Sequence, residues 1–218
     1  MRITILLADD HRMFAEALSG LLAQTYDVIG SASNGRELLT LARELNPNVI
    51  VTDVSMPLLN GMEVLRMLKR GATRAKFVIL TMHADVSLAA EAFRCGASAF
   101  VLKQAAAEEL NLAIVSALRG RHYLSSTFPV DLVTLLAEAV RHHREEGPKI
   151  TRRQREVLQL VAEGKTMKEV GSLLNLSTRT VESYKYEIMR VLGIHTNAEL
   201  VQYAIRIGVI TVTPLQAA

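Results

Sequence analysis

Carboxylates, a hydroxyl and an amine recur in this 218-residue chain at one kind of place, the end of a short apolar run. Asp9-Asp10 follows Ile3 to Ala8, Asp53 follows Val49 to Thr52, Thr81 follows Phe77 to Leu80, and Lys103 follows Ala99 to Leu102. Three carboxylates brought together repel one another unless a cation intervenes, and an oxygen-only set suits a hard divalent ion such as Mg2+. Lys103 adds a fixed positive charge. A phosphoryl group arriving at Asp53 meets the ion on one oxygen, the ammonium on another and the Thr81 hydroxyl on the third, the charge neutralisation that phosphoryl transfer requires. The product is an aspartyl phosphate. Taken singly, each residue has an ordinary explanation as a helix cap, a strand hydroxyl or a solvated lysine. Recurrence at four strand ends is what argues for a site.

The elements that position these residues are legible from the same runs. Each is of strand length and is followed by a segment long enough for a helix, so the first 120 residues read as alternating strand-helix units of an α/β, doubly wound parallel sheet. Ligands of such sheets sit outside the carboxyl ends of the strands, which brings all four positions to one crevice.

Composition bounds the rest. Half the residues are hydrophobic, yet no apolar run approaches the roughly 18 to 20 residues of a membrane span. Met1-Arg2 leads directly into a strand run rather than a signal peptide, and one cysteine, Cys95, excludes an internal disulfide, so a cytoplasmic protein is expected. Cys95 itself reads as a small buried hydrophobe. Charge is uneven: residues 1–120 hold twelve basic and twelve acidic side chains, and 121–218 hold thirteen and ten, so the whole surplus of +3 lies in the second part.

Residues 121–148 read as a linker with one helix from about Asp131 to Arg144, whose Leu132, Leu135, Leu136, Ala139 and Val140 form an apolar stripe. His142-His143, flanked by charges, reads as a solvated face of it. Beyond Pro148 the pattern is helical. Thr151 with Gln154, Thr166 with Glu169 and Thr196 with Glu199 have the spacing of capping boxes, Ser177 caps a further helix to about Leu192, and Gly164 and Gly193 mark helix ends. Leu174-Asn175-Leu176 is the only link between the second and third of these four helices, the spacing of a helix-turn-helix.

With these motifs in view, residues 1–120 resemble the receiver domain of bacterial two-component response regulators, through "LLADDH", "VTDVSMPLLNGMEVL", "VILTMHAD" and "CGASAFVLK". The resemblance implies a flavodoxin-like fold of five alternating strand-helix units, a five-stranded sheet, in which Asp53 is the phosphoacceptor for a sensor histidine kinase. It makes Asp10 a direct Mg2+ ligand, Asp9 a ligand mainly through water, and the Ser55 carbonyl a further one. Thr81 becomes the switch hydroxyl and Phe100 the aromatic that moves inward with it. Two features qualify the match. Lys103-Gln104 replaces the family's usual Lys-Pro, and Ser55 and His83 line the site, where they should tune phosphoryl lifetime. The domain of residues 149–218 resembles, over about 149 to 213, the LuxR-type four-helix DNA-binding domain, and the pair together resembles the NarL/FixJ group. Gln154, Met167, Tyr184 and Val191 depart from its usual pattern. The implied function is a phosphorylation-controlled transcriptional regulator, not an enzyme, that binds double-stranded DNA and dimerises on activation. An adaptor or phosphate sink with a degenerate output domain is the alternative; an aspartyl-phosphate phosphatase lacks a second substrate pocket.

At 100° per residue, Val181, Tyr184, Ile188, Val191 and Leu192 share the packing face of the third output helix. Arg179, Glu182, Ser183, Tyr186 and Arg190 lie opposite, facing the major groove. The resemblance puts base contacts at Glu182, Ser183 and Tyr186. Lys185 sits at the boundary, within reach of phosphate, with Lys165 and Lys168 contributing from the preceding helix. Leu200, Val201, Ala204 and Ile205 on the last helix are expected to leave apolar surface for a subunit contact.

Overall fold

The apolar runs form one parallel sheet in a computed structural model that describes residues 2–82, 84–128, 150–207 and 209–210. The strands are β1 (Thr4–Ala8), β2 (Asp27–Ala32), β3 (Val49–Asp53), β4 (Lys76–Thr81), β5 (Ala99–Leu102) and β6 (Tyr123–Leu124), in the order β2-β1-β3-β4-β5-β6. Helices α1 (Arg12–Ala23), α2 (Gly35–Leu45), α3 (Gly61–Arg70), α4 (Val86–Arg94) and α5 (Ala106–Leu118) connect the first five strands and lead into the sixth. Alternation along each central strand sorts its side chains onto two buried faces. Ile5, Leu7, Val51, Val78, Leu80 and Val101 pack with α1 and α5, whereas Leu6, Ile50, Phe77, Ile79 and Phe100 pack with α2, α3 and α4. Both faces are covered, as a parallel sheet requires.

The sheet has six strands where five were expected, and the sixth lies past residue 120. An uncovered β5 would expose a row of unpaired backbone groups. Tyr123 N–H donates to the Ser98 carbonyl at 3.1 Å and Ser125 N–H to the Phe100 carbonyl at 2.9 Å, which closes that edge. A two-residue strand carries no periodicity for a sequence to show. The expected helix at 131–144, with His142-His143, lies outside the described residues. By contact density the chain divides into Met1–Arg144 and Glu145–Ala218.

The second unit contains α6 (Arg152–Ala162), α7 (Met167–Leu174), α8 (Thr178–Leu192) and α9 (Asn197–Arg206). All three expected capping boxes are formed, and the Ser177 hydroxyl accepts from the Thr180 amide. Leu174 closes α7 rather than opening the turn, because the left-handed residue is Asn175, at φ 54°; Gly193 ends α8 the same way at φ 66°. Arg153 donates to the Leu174 carbonyl, tying α6 to the turn. Val157, Leu158, Leu160, Val170, Val181, Ile188, Leu200 and Ala204 are buried in this unit.

Close approach of backbones fixes the loop after β3. A Cβ on Gly61 would stand 2.1 Å from the Asp53 carbonyl oxygen and 3.0 Å from Thr52 Oγ1, and the carbonyl cannot move without moving the strand end. Gly61→Ala should therefore lower the stability of the first unit by about 3 kcal/mol, the upper end for overpacking, measured by urea unfolding. Thr166→Ala removes one half of a capping box at the start of the helix-turn-helix. It should cost about 1 kcal/mol, seen as a lower urea midpoint for the second unit with the first unchanged.

Candidate functional site

The carboxyl ends of β1, β3, β4 and β5 converge as the sequence implies. Asp9 and Asp10 follow β1 directly, Asp53 and Thr81 are the last residues of β3 and β4, and Lys103 opens a 3-10 turn, Lys103–Ala105, after β5. The Lys103-Gln104 peptide is trans. Asp9, Asp53, Thr81 and Lys103 are buried, while Asp10 is exposed at the mouth. Lys103 Nζ lies 2.7 Å from Asp9 Oδ2 and 2.7 Å from Asp53 Oδ2. Ser55 N–H donates to Asp53 Oδ1 at 3.2 Å, which brings Ser55 to the site. In register, Asp53 pairs with Leu80 and Thr81 with Leu102, so the four ends are nearly level. His83 lies outside the described residues.

Burial pushes the Asp53 carboxyl up to about 6; Lys103 and the Ser55 amide pull against that, and the Asp9 charge adds to it. Burial lowers the Lys103 ammonium but the two carboxylates outweigh it, and the net direction is upward. The pair thus holds its charges while shielded from water. Removing one partner of such a buried pair costs about 3 to 5 kcal/mol.

Two residues at the site went unnoticed in the sequence. His11 Nδ1 lies 3.0 Å from Asp10 Oδ1 and 3.3 Å from Asp9 Oδ1. Its adjacency to the acid pair was the available signal. Phe14 presents its ring to the Lys103 ammonium, with Nζ 5.0 Å from the ring centroid. Nothing in sequence links positions 89 residues apart. Phe100, expected to swing inward, has no exposed surface here, because Phe128 covers it edge-on with ring centroids 5.9 Å apart. Cys95 is half-buried rather than buried, with its thiol pushed up by burial.

The donor set fits a divalent cation. Ligand atoms of Asp9, Asp10, His11 and Asp53 all lie within 4.8 Å of one another. Asp9 Oδ2 is buried against the Lys103 ammonium, and Asp9 Oδ1 accepts from the His11 amide at 2.9 Å. Such a set of carboxylate oxygens matches Mg2+.

On the second unit, Arg179, Glu182, Ser183, Tyr186 and Arg190 are exposed along α8, with Tyr186 at 72%. Ser183 Oγ donates to the Arg179 carbonyl at 3.0 Å, so in this rotamer the exposed hydroxyl offers only acceptor lone pairs to a partner. Lys185 is intermediate, as its boundary position implies; Lys168 is exposed and Lys165 partly so. Val191 corrects the helical wheel. Its wheel position lies on the packing face, yet it is 38% exposed, since a helical wheel gives a side chain's direction and not whether another element covers it. Of the apolar residues on α9, Leu200 and Ala204 are buried within the unit, and Val201 and Ile205 remain partly exposed. No described helix is long and apolar enough to cross a membrane.

Known proteins bear directly on this geometry. Residues 5–115 match the response regulator receiver domain family, and residues 148–204 match the family of bacterial regulatory proteins, luxR family. The chain is 31% identical over 211 residues to the response regulator UvrY of Escherichia coli (strain K12), covering 94% of this chain and 95% of that one. It is 34% identical over 209 residues to the transcriptional regulatory protein LiaR of Bacillus subtilis (strain 168), covering 94% and 97%. The solved structure of the RcsB response regulator of Salmonella typhimurium superposes with a TM-score of 0.64 at 25% identity, over 94% of this chain and 98% of that one. RcsB from Salmonella enterica serovar Typhimurium, bound to promoter P1flhDC in the presence of phosphomimetic BeF3-, superposes at 0.61 with 25% identity, over 93% and 98%. With both families matched in this order, and with relatives that run through nearly the whole chain, the protein belongs to the NarL/FixJ family of two-component response regulators, transcription factors that bind DNA.

Proposed function

We propose that Asp53 accepts a phosphoryl group from a sensor histidine kinase, and that the modification alters dimerisation and DNA binding by the helix-turn-helix unit. The observation that carries this is the buried contact of Lys103 with both Asp9 and Asp53 at the head of the sheet. Near neutral pH the Asp53 carboxylate is ionised and attacks phosphorus as the bond to the kinase histidine nitrogen breaks, so the imidazole departs and an acyl phosphate remains. Lys103 then follows the new charge onto a phosphoryl oxygen, and the Thr81 hydroxyl donates to another. Asp9, Asp10, Asp53 and the Ser55 carbonyl would hold Mg2+, which when bound neutralises charge on the transferred group. A phosphohistidine donor and chromosomal DNA are both met in the cytoplasm, which supports that compartment for the protein.

At the output end, Glu182, Ser183 and Tyr186 read base edges from the groove-facing row they share with Arg179 and Arg190, while Lys185, Lys165 and Lys168 contact phosphates. Two copies on half-sites one helical turn apart fit the family's arrangement, with Val201 and Ile205 available for the subunit contact. The exposed, fully capped α8 favours this over a degenerate output domain. The RcsB complex with promoter DNA and a phosphoryl mimic supports the same reading.

Acetyl phosphate should label the protein at Asp53 only with Mg2+ present. Phosphate-affinity electrophoresis reads the outcome, and undiminished labelling of Asp53→Asn would move the acceptor elsewhere. Lys185→Ala should weaken binding to all sequences alike and lower the salt slope by about 1, whereas Glu182→Ala should relax base preference by about 1 to 3 kcal/mol at one position. Binding-site selection on both variants distinguishes the two roles, and an unchanged preference for Glu182→Ala assigns base reading to another residue.

A further inference from the structure

Residues 121–128, counted as linker by sequence, lie across α4, β5 and α5 of the first unit. His122 stacks edge-on against Phe93 of α4 with centroids 5.2 Å apart. Tyr123 and Leu124 pair with Ala99 and Phe100 of β5. The Glu109 carboxylate on α5 accepts from the Ser125 hydroxyl, from the Ser126 hydroxyl, and from the Ser126 amide at 3.0 Å. The Tyr123 hydroxyl joins this set. Phe128 then buries its ring against Phe100, within the core cluster that also holds Ala92 of α4 and Ala97 of the loop after it. Every element of this face is thus touched by the segment through which the chain leaves for the output unit.

We infer that Phe128 is a positioning residue of the phosphorylation switch, with Glu109 as its anchor: it seats Phe100 and passes displacement of that ring to the departing chain. This inference rests on the proposed phosphorylation of Asp53. Phe100 lies beside Ile79 in register and two residues before the Leu102 that pairs with Thr81, so a shift of the Thr81 end of β4 is felt at Phe100. A closely packed aromatic pair has few intermediate arrangements, so displacement of one ring obliges the other to move. Glu109 resists that movement on the α5 side. The linkage is therefore polarised, and the shift goes along the chain beyond Phe128 instead of being absorbed in the sheet edge. Because the Ser125 amide is bonded to the Phe100 carbonyl, the ladder reports the same displacement.

The test uses the full chain with and without saturating acetyl phosphate and Mg2+, with Asp53 occupancy read by intact mass. Hydrogen exchange of the Ser125 amide is measured alongside the DNA affinity of each state. In wild type the modification should change Ser125 protection. At equal Asp53 occupancy, Phe128→Leu, which keeps an apolar side chain without the ring, should reduce the phosphorylation-dependent gain in DNA affinity about fivefold. Glu109→Ala should do likewise from the other side of the segment. Full occupancy of Asp53 with unchanged Ser125 protection, or with the affinity gain intact in both variants, would overturn this inference alone. Failure of wild-type Asp53 to take up the group would overturn the reading of the site, and this inference with it.

Discussion

The buried triad of Lys103, Asp9 and Asp53 is the constraint around which the first unit is organised. Two carboxylates that share one desolvated pocket are tolerated only because an ammonium stands 2.7 Å from each. Three different strand ends must therefore arrive level, and the sheet register makes that possible. Gly61 serves the same requirement by letting α3 start against the Asp53 carbonyl, and Phe14 does so by lending the ammonium its ring face. A charge arriving at this point rearranges a balanced set rather than an empty pocket.

Such an arrangement is suited to switching. A tightly packed core transmits a displacement because it lacks voids that would absorb it. Thr81 and Phe100 stand on neighbouring strands, Phe100 is fully enclosed, and the cover over it belongs to the chain on its way to the output unit. The edge strand β6 pairs with β5 and so protects that edge of the sheet.

The output unit is governed by local rules to a greater degree. Each of its helices begins at a hydroxyl that accepts a backbone amide, three of them in reciprocal capping boxes, and the turn after α7 is made by a single left-handed asparagine. These devices orient α8 so that Val181 and Ile188 face inward and Glu182 and Tyr186 face out. An aromatic left so exposed on a stable helix has no packing duty, which agrees with a surface kept for contact with DNA.

The residue sequence by itself determined the alternating strand-helix pattern, the four polar positions at strand ends, the helix caps and the two faces of α8. All of these depend on periods of two or 3.6 residues, or on side chains bonded to backbone three positions away, and such signals survive in one dimension. Tertiary structure alone decided the sixth strand, the fourfold hold of Glu109 on residues 123–126, the Phe100–Phe128 pair and the ring of Phe14 behind Lys103. Those contacts join residues 14 to 89 positions apart, or involve a strand too short to have a period, so no local pattern announces them. Val191 shows the same limit from the other side: a helical wheel assigns its direction, but whether a neighbour is there to bury it depends on where the rest of the domain ends.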